Sequence, residues 1–81
     1  MNEAEIRTGV IEVLLTIAPE VEADELMAGQ ALRDQVDLDS MDWLHVIVGL
    51  RERFGVDIPE TDYARLVTLD DIVAYLAARV R

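Results

Sequence analysis

Apolar residues in this chain recur at the spacing of a helix in three separate stretches, and no segment shows the sustained alternation a half-buried strand requires. In the first stretch Ile6, Val10, Val13, Leu14 and Ile17 share a face; in the second Met41, Leu44, Ile47, Val48 and Phe54 do so; in the third Leu69, Ile72, Val73, Leu76 and Val80. The β-branched residues fall at these helical positions rather than on every second residue. The fold class is therefore all-α: a small four-helix bundle of three longer helices and one short helix around one core.

Start and stop signals set the boundaries. Asn2 followed by Glu5 predicts a capped first helix from about residue 3 to Ile17, ending before Ala18-Pro19 because a residue preceding proline leaves the helical region. Asp39 is a favourable N-cap for a second helix over Ser40 to Phe54, and Gly55 suits the left-handed residue that closes it. Val56-Asp57-Ile58-Pro59 reads as an extended connector, with a short third helix over 61–66. Thr68 and Asp71 form a capping-box pair that opens the last helix. Between the first two helices lies a long loop from Pro19 to Leu38 with no sustained period, in which we expect a turn of helix within 24–35. Leu26, Leu32 and Val36 are expected to fold back on the bundle. Residues 1–81 make a single domain without internal repeats. The start at Asn2 and the end at Arg81, directly after the last helix, suit a free-standing chain.

Charge narrows the choice of partners. Seventeen acidic residues face seven arginines and no lysine, a formal charge of −10. Such a field repels nucleic acid and anionic membranes and favours partners that present basic patches. Cysteine is absent, so neither a disulfide framework nor a thiolate metal site is available. The N-terminal residues lack a basic leader followed by an apolar stretch, and no segment has the length of a membrane span. A cytoplasmic monomer without membrane insertion is the expectation.

Little of the sequence suits catalysis. The only histidine, His45, lies five residues after Ser40, so about 500° of helical rotation puts the two on different faces. Lysine and cysteine nucleophiles are missing, and a self-contained enzyme is not expected. Asp37, Asp39 and Asp42 invite a calcium-sensor reading. However, counting from Asp37, the fifth, sixth and twelfth loop positions are Met41, Asp42 and Val48, where an EF-hand needs an oxygen ligand, glycine and glutamate. Ser40 stands out instead. As the first residue of its helix it offers an exposed hydroxyl where free N–H groups and the helix dipole favour an attached phosphate, with Met41 expected to point inward and anchor the turn.

Leu38-Asp39-Ser40-Met41-Asp42, together with Phe54-Gly55-Val56-Asp57-Ile58-Pro59, resembles the acyl carrier protein family, in which an Asp-Ser-Leu motif opens the second helix. The similarity covers nearly the whole chain, including a last helix opening with Thr68-Leu69-Asp70-Asp71-Ile72. The resemblance implies that Ser40 carries covalent 4′-phosphopantetheine, transferred from coenzyme A by a phosphopantetheinyl transferase that uses magnesium. Asp39 would cap the helix and help hold the transferase's metal. The thiol belongs to the arm, so a chain without cysteine can still hold a thioester. Inner-face residues such as Leu14, Leu44, Val48, Ile72 and Leu76 would match the positions that shelter a cargo chain.

The resemblance further implies that Asp42, Trp43, Arg51 and Glu52 meet partner enzymes: a loading ligase for an acyl or aminoacyl group, then downstream transferases or synthases. The family's second helix usually presents several carboxylates, whereas the outward positions here read His45, Arg51 and Arg53 with Glu52 between the arginines. Trp43 stands where housekeeping fatty-acid carriers more often have a small residue, and either packs against the arm or a partner or tucks against the long loop. These departures point away from the standard fatty-acid partners to a dedicated lipid, polyketide or aminoacyl pathway. The alternative is an acidic helical adaptor without a prosthetic group.

Overall fold

The computed structural model describes residues 1–80; Arg81, the expected last residue of the domain, lies outside them. Helix α1 spans Glu3–Ile17, α2 Leu32–Gln35, α3 Ser40–Phe54 and α4 Leu69–Ala77, with 3₁₀ turns at Ala23–Glu25 and Glu60–Arg65. Among the described residues there is no strand, only an isolated antiparallel bridge between Ala31 and Thr68. The four-residue α2 lies inside the long loop, and the short helix expected over 61–66 is a 3₁₀ turn.

The helix ends follow the local chemistry. Asn2 accepts from the Glu5 amide at 2.8 Å while the Glu5 carboxylate accepts from the Asn2 N–H at 3.2 Å. Thr68 and Asp71 repeat that exchange at the start of α4. Gly55 closes α3 with φ 64° and ψ 30°, a conformation that glycine adopts without steric cost.

Helix α1 packs against both α3 and α4. It contributes Ile6, Val10, Val13 and Leu14 to the core, α3 contributes Trp43, Val46, Ile47 and Leu50, and α4 contributes Leu69, Ile72, Val73, Tyr75 and Leu76. Two glycines set how closely α1 and α3 approach. A Cβ on Gly49 would lie 2.7 Å from Val13 Cγ1, and one on Gly9 would lie 2.7 Å from Phe54 Cζ.

The buried face of α3 differs from the one the sequence suggests. Met41, Leu44 and Val48, expected inside, are exposed at 61%, 44% and 45%, whereas Trp43, expected to have a partner-facing option, is buried at 8%. The reason is angular: Met41 and Trp43 are about 200° apart round the helix, so one is turned out when the other is buried. Trp43, Val46, Ile47 and Leu50 form the continuous stripe, and each large side chain buried is worth about 1.5–3 kcal/mol, so this face wins. Trp43 borders a small cavity shared with Ala31 and Arg33 of the long loop and with Tyr63 and Leu66 beyond α3. Of the positions expected to line a cargo-sheltering interior, Leu14, Ile72 and Leu76 are buried and Leu44 and Val48 are not.

The loop between α1 and α3 is pinned to the bundle. Leu32 and Val36 are buried and Leu26 is half-buried against the core, as expected. The Leu32 N–H donates to the Val67 carbonyl at 2.9 Å, and the Asp70 N–H donates to the Ala28 carbonyl at 3.0 Å. The Glu60–Arg65 turn is fastened to α4 by the Tyr75 hydroxyl, which donates to Asp62 Oδ2 at 2.6 Å under the Arg79 guanidinium, 3.6 Å from the ring centroid. Burial first, and then donation to Asp62, hold the Tyr75 phenol above its ordinary pKa of 10.0.

Candidate functional site

Ser40 is the first residue of α3 and is exposed, and it is the only serine in the chain. The two aspartates that flank it close on each other across it. Asp39 Oδ1 accepts from the Asp42 N–H at 2.8 Å, and Asp42 Oδ2 accepts from the Asp39 N–H at 3.4 Å, a capping box built from two aspartates. Sequence reading found the Asp39 cap but missed the return bond, because neither position carries the usual residue, serine or threonine at the cap and glutamate or glutamine three residues on. The three-residue spacing of Asp39 and Asp42 was the available signal.

This box decides what the turn can do with a phosphate. The N–H groups of Asp42 and Trp43 are taken by the Asp39 carboxylate and carbonyl, and no described hydrogen bond uses those of Ser40 or Met41. A helix N-terminus carries only about half a positive charge. Two carboxylates at the same turn outweigh it, so the turn is a poor trap for a free anion, contrary to the expectation of a ready-made phosphate site. It does offer an exposed hydroxyl on a doubly capped turn, which fits a covalently attached phosphodiester. Phosphopantetheine is compatible with this donor set because the bond to Ser40 Oγ, not the local field, would hold it.

From Ser40 an apolar stripe runs down the outer face of α3 through Met41, Leu44 and Val48, three of the six large apolar side chains exposed among the described residues. Arg51 and Glu52 continue that face, and with Val48 they border a shallow depression at the far end of the helix. Arg51 pairs with Asp57 at 3.5 Å, and Arg53 leaves the stripe to pair with Glu12 of α1 at 3.1 Å. Of the partner-facing candidates, Arg51 and Glu52 lie on this face, Asp42 on its edge as half of the cap, and Trp43 in the core. His45 is exposed on the same helix. Asp37, Asp39 and Asp42 do not converge: among the described residues no group of three histidine, cysteine or carboxylate side chains could hold a metal ion. Among the described residues no helix is long and apolar enough to cross a membrane.

Comparison with known proteins agrees with this arrangement. The family model described as a phosphopantetheine attachment site matches residues 9–76. An acyl carrier protein of Acidothermus cellulolyticus is 31% identical over 77 residues, covering 95% of this chain and 90% of that protein. One of Kineococcus radiotolerans is 32% identical over 76 residues, covering 94% and 93%. The meromycolate extension acyl carrier protein of Mycobacterium tuberculosis is 30% identical over 94% of this chain, which spans 65% of its length. The family match begins within α1 and runs through the capped starts of α3 and α4, and it sets aside the adaptor without a prosthetic group. The chain belongs to the acyl carrier protein family, whose members hold acyl groups on covalently attached 4′-phosphopantetheine for partner enzymes.

Proposed function

We propose that Ser40 is the attachment point and that the protein is a non-catalytic carrier, working as a cytoplasmic monomer. The observation that carries this reading is an exposed hydroxyl, the chain's only serine, fixed at the first position of α3 between the two halves of a capping box. Ser40 Oγ supplies one ester oxygen to the phosphodiester. The bound arm supplies a thiol on which an acyl group rides as a thioester. Asp39 then serves twice, as the cap of α3 and, next to Ser40 in sequence, as a carboxylate that helps hold the transferase's metal.

The cargo we infer is an acyl chain of a lipid pathway rather than an amino acid, since the relatives are named acyl carrier and meromycolate extension acyl carrier proteins. Partners dock on the Met41, Leu44 and Val48 face beside the arm, with Arg51 and Glu52 at its end. That helix carries as many arginines as acidic residues in a chain of −10, which argues for partners less basic than those that read a carboxylate-rich helix. The test is incubation with coenzyme A, magnesium and a phosphopantetheinyl transferase. The parent gains one arm and folded Ser40→Ala gains none; a Ser40→Ala protein that is still modified refutes the site.

A further inference from the structure

Half of the protein's net charge resides in one segment that this function leaves unused. Residues 20–37 hold six carboxylates against one arginine, Arg33, and so carry five of the ten net negative charges. Among the described residues none of those six takes part in an ion pair, whereas Asp57, Asp62, Asp70 and Glu12 on the bundle each do. Four of the six, Glu20, Glu22, Glu25 and Asp37, line a groove of about 440 Å³ between the loop and the end of α2. Its apolar lining is Val21, Leu26, Met27 and Val36, with Met27 exposed at 55%.

The groove is held open by built structure. Gln35 reaches across its base, with Nε2 donating to the Met27 and Gln30 carbonyls at 2.8 and 3.0 Å and Oε1 accepting from the Met27 N–H at 2.7 Å. Leu32 and Val36 anchor one wall in the core. A ligand entering it would spend little on ordering the loop.

We propose that this groove docks a basic amphipathic segment of a partner protein, with arginine or lysine heads on the rim carboxylates and an apolar side chain on Leu26 and Met27. The charge complementarity is specific in kind. The carboxylates are too dispersed to hold a metal ion, their sign repels nucleic acid and anionic lipid, and the apolar lining rewards more than a bare polycation. The surface is separate from the outer stripe of α3. The proposal rests on the carrier reading only in that the partner is an enzyme handling the cargo, and binding to the unmodified protein is read independently of any mass change at Ser40.

The test uses the full chain, isotope-labelled and followed by amide NMR, titrated with three synthetic helical peptides: arginine/leucine amphipathic, glutamine/leucine, and arginine/serine. The arginine/leucine peptide should shift the amides of residues 20–27 and 35–37, with affinity falling as salt rises. It should bind about fivefold or more tighter than either control. Glu22→Gln/Glu25→Gln should weaken it by a similar factor, as should Met27→Gln, while Glu3→Gln/Glu60→Gln, away from the groove, should not. Equal binding of the glutamine/leucine peptide would mean a purely apolar site, and equal binding of arginine/serine a mere counter-ion cloud. Either result, shifts centred on Met41, Leu44 and Val48, or unaltered binding by the groove variants would overturn the proposal.

Discussion

The side-chain amide of Gln35 pairs with the backbone of Met27 as one strand edge pairs with another, through bonds of 2.7 and 2.8 Å in opposite directions. Seven residues lie between the two, and a third bond to the Gln30 carbonyl braces the pair. The loop's own apolar content is modest, so these bonds fix the path that brings Leu32 and Val36 to the core. Gln35→Ala should cost about 1–2 kcal/mol, several exposed hydrogen bonds each worth less than a buried one. Gln35→Glu should be similarly damaging, since it keeps the acceptor for Met27 N–H but sets a carboxylate against two carbonyls. Urea melts and amide exchange at Met27 check this; a Met27 amide as well protected in the variants as in the parent would show that the clamp does not hold the loop.

The Asp39–Asp42 box predicts unequal effects at the two positions. Asp39→Ala removes a 2.8 Å cap bond and a favourable charge at the helix N-terminus, and should destabilise by about 1 kcal/mol. Asp39→Asn keeps an acceptor and should lose only a few tenths. Asp42→Ala removes a weak 3.4 Å bond and should cost less than Asp39→Ala. Denaturant midpoints for the three variants give the ranking directly, and a larger loss at Asp42 would invert it.

Gly49→Ala pits helix propensity against packing. Alanine gains up to about 1 kcal/mol in a helix interior, but its Cβ would meet Val13 Cγ1 at 2.7 Å. Valine in a helix has essentially one χ1 rotamer, so the neighbour cannot step aside cheaply. Overpacking of about 1–3 kcal/mol should win, leaving the variant less stable than the parent in thermal melts. Gly9→Ala, which meets the tip of the half-buried Phe54 ring, should be tolerated better.

Tyr75 gives the fold an alkaline limit. Its phenol is favoured in the neutral form in the folded state, so its folded pKa lies above the unfolded one. The sign follows from linkage: the contribution is fully present below the unfolded pKa, and is lost as pH rises through the folded pKa, because the unfolded chain gives up that proton more readily. Stability should therefore fall above about pH 10 in the parent, and less steeply in Tyr75→Phe. Parallel slopes in the two proteins would remove Tyr75 as the cause.

What could be read in advance was local. Asn2 with Glu5, Thr68 with Asp71, and Gly55 each announce a helix end through contacts within a few residues, and each is found there. The face of α3 was harder because two apolar stripes share that helix, and only the partners in α1 and α4 decide that Trp43 rather than Met41 goes inside. The Gln35 clamp and the closeness of Gly49 to Val13 depend on distances between elements that no single stretch encodes. Ser40 was legible because its flanking residues and the spacing to Ile58-Pro59 act together.

The central claim is that the arm sits on Ser40. Digestion at arginine after enzymatic loading releases residues 34–51, in which Ser40 is the only hydroxyl-bearing side chain. Fragment mass spectrometry of the loaded protein should place the whole added mass on that peptide, between Asp39 and Met41. Added mass on any other peptide, or none on a folded protein exposed to two different transferases, would contradict the account.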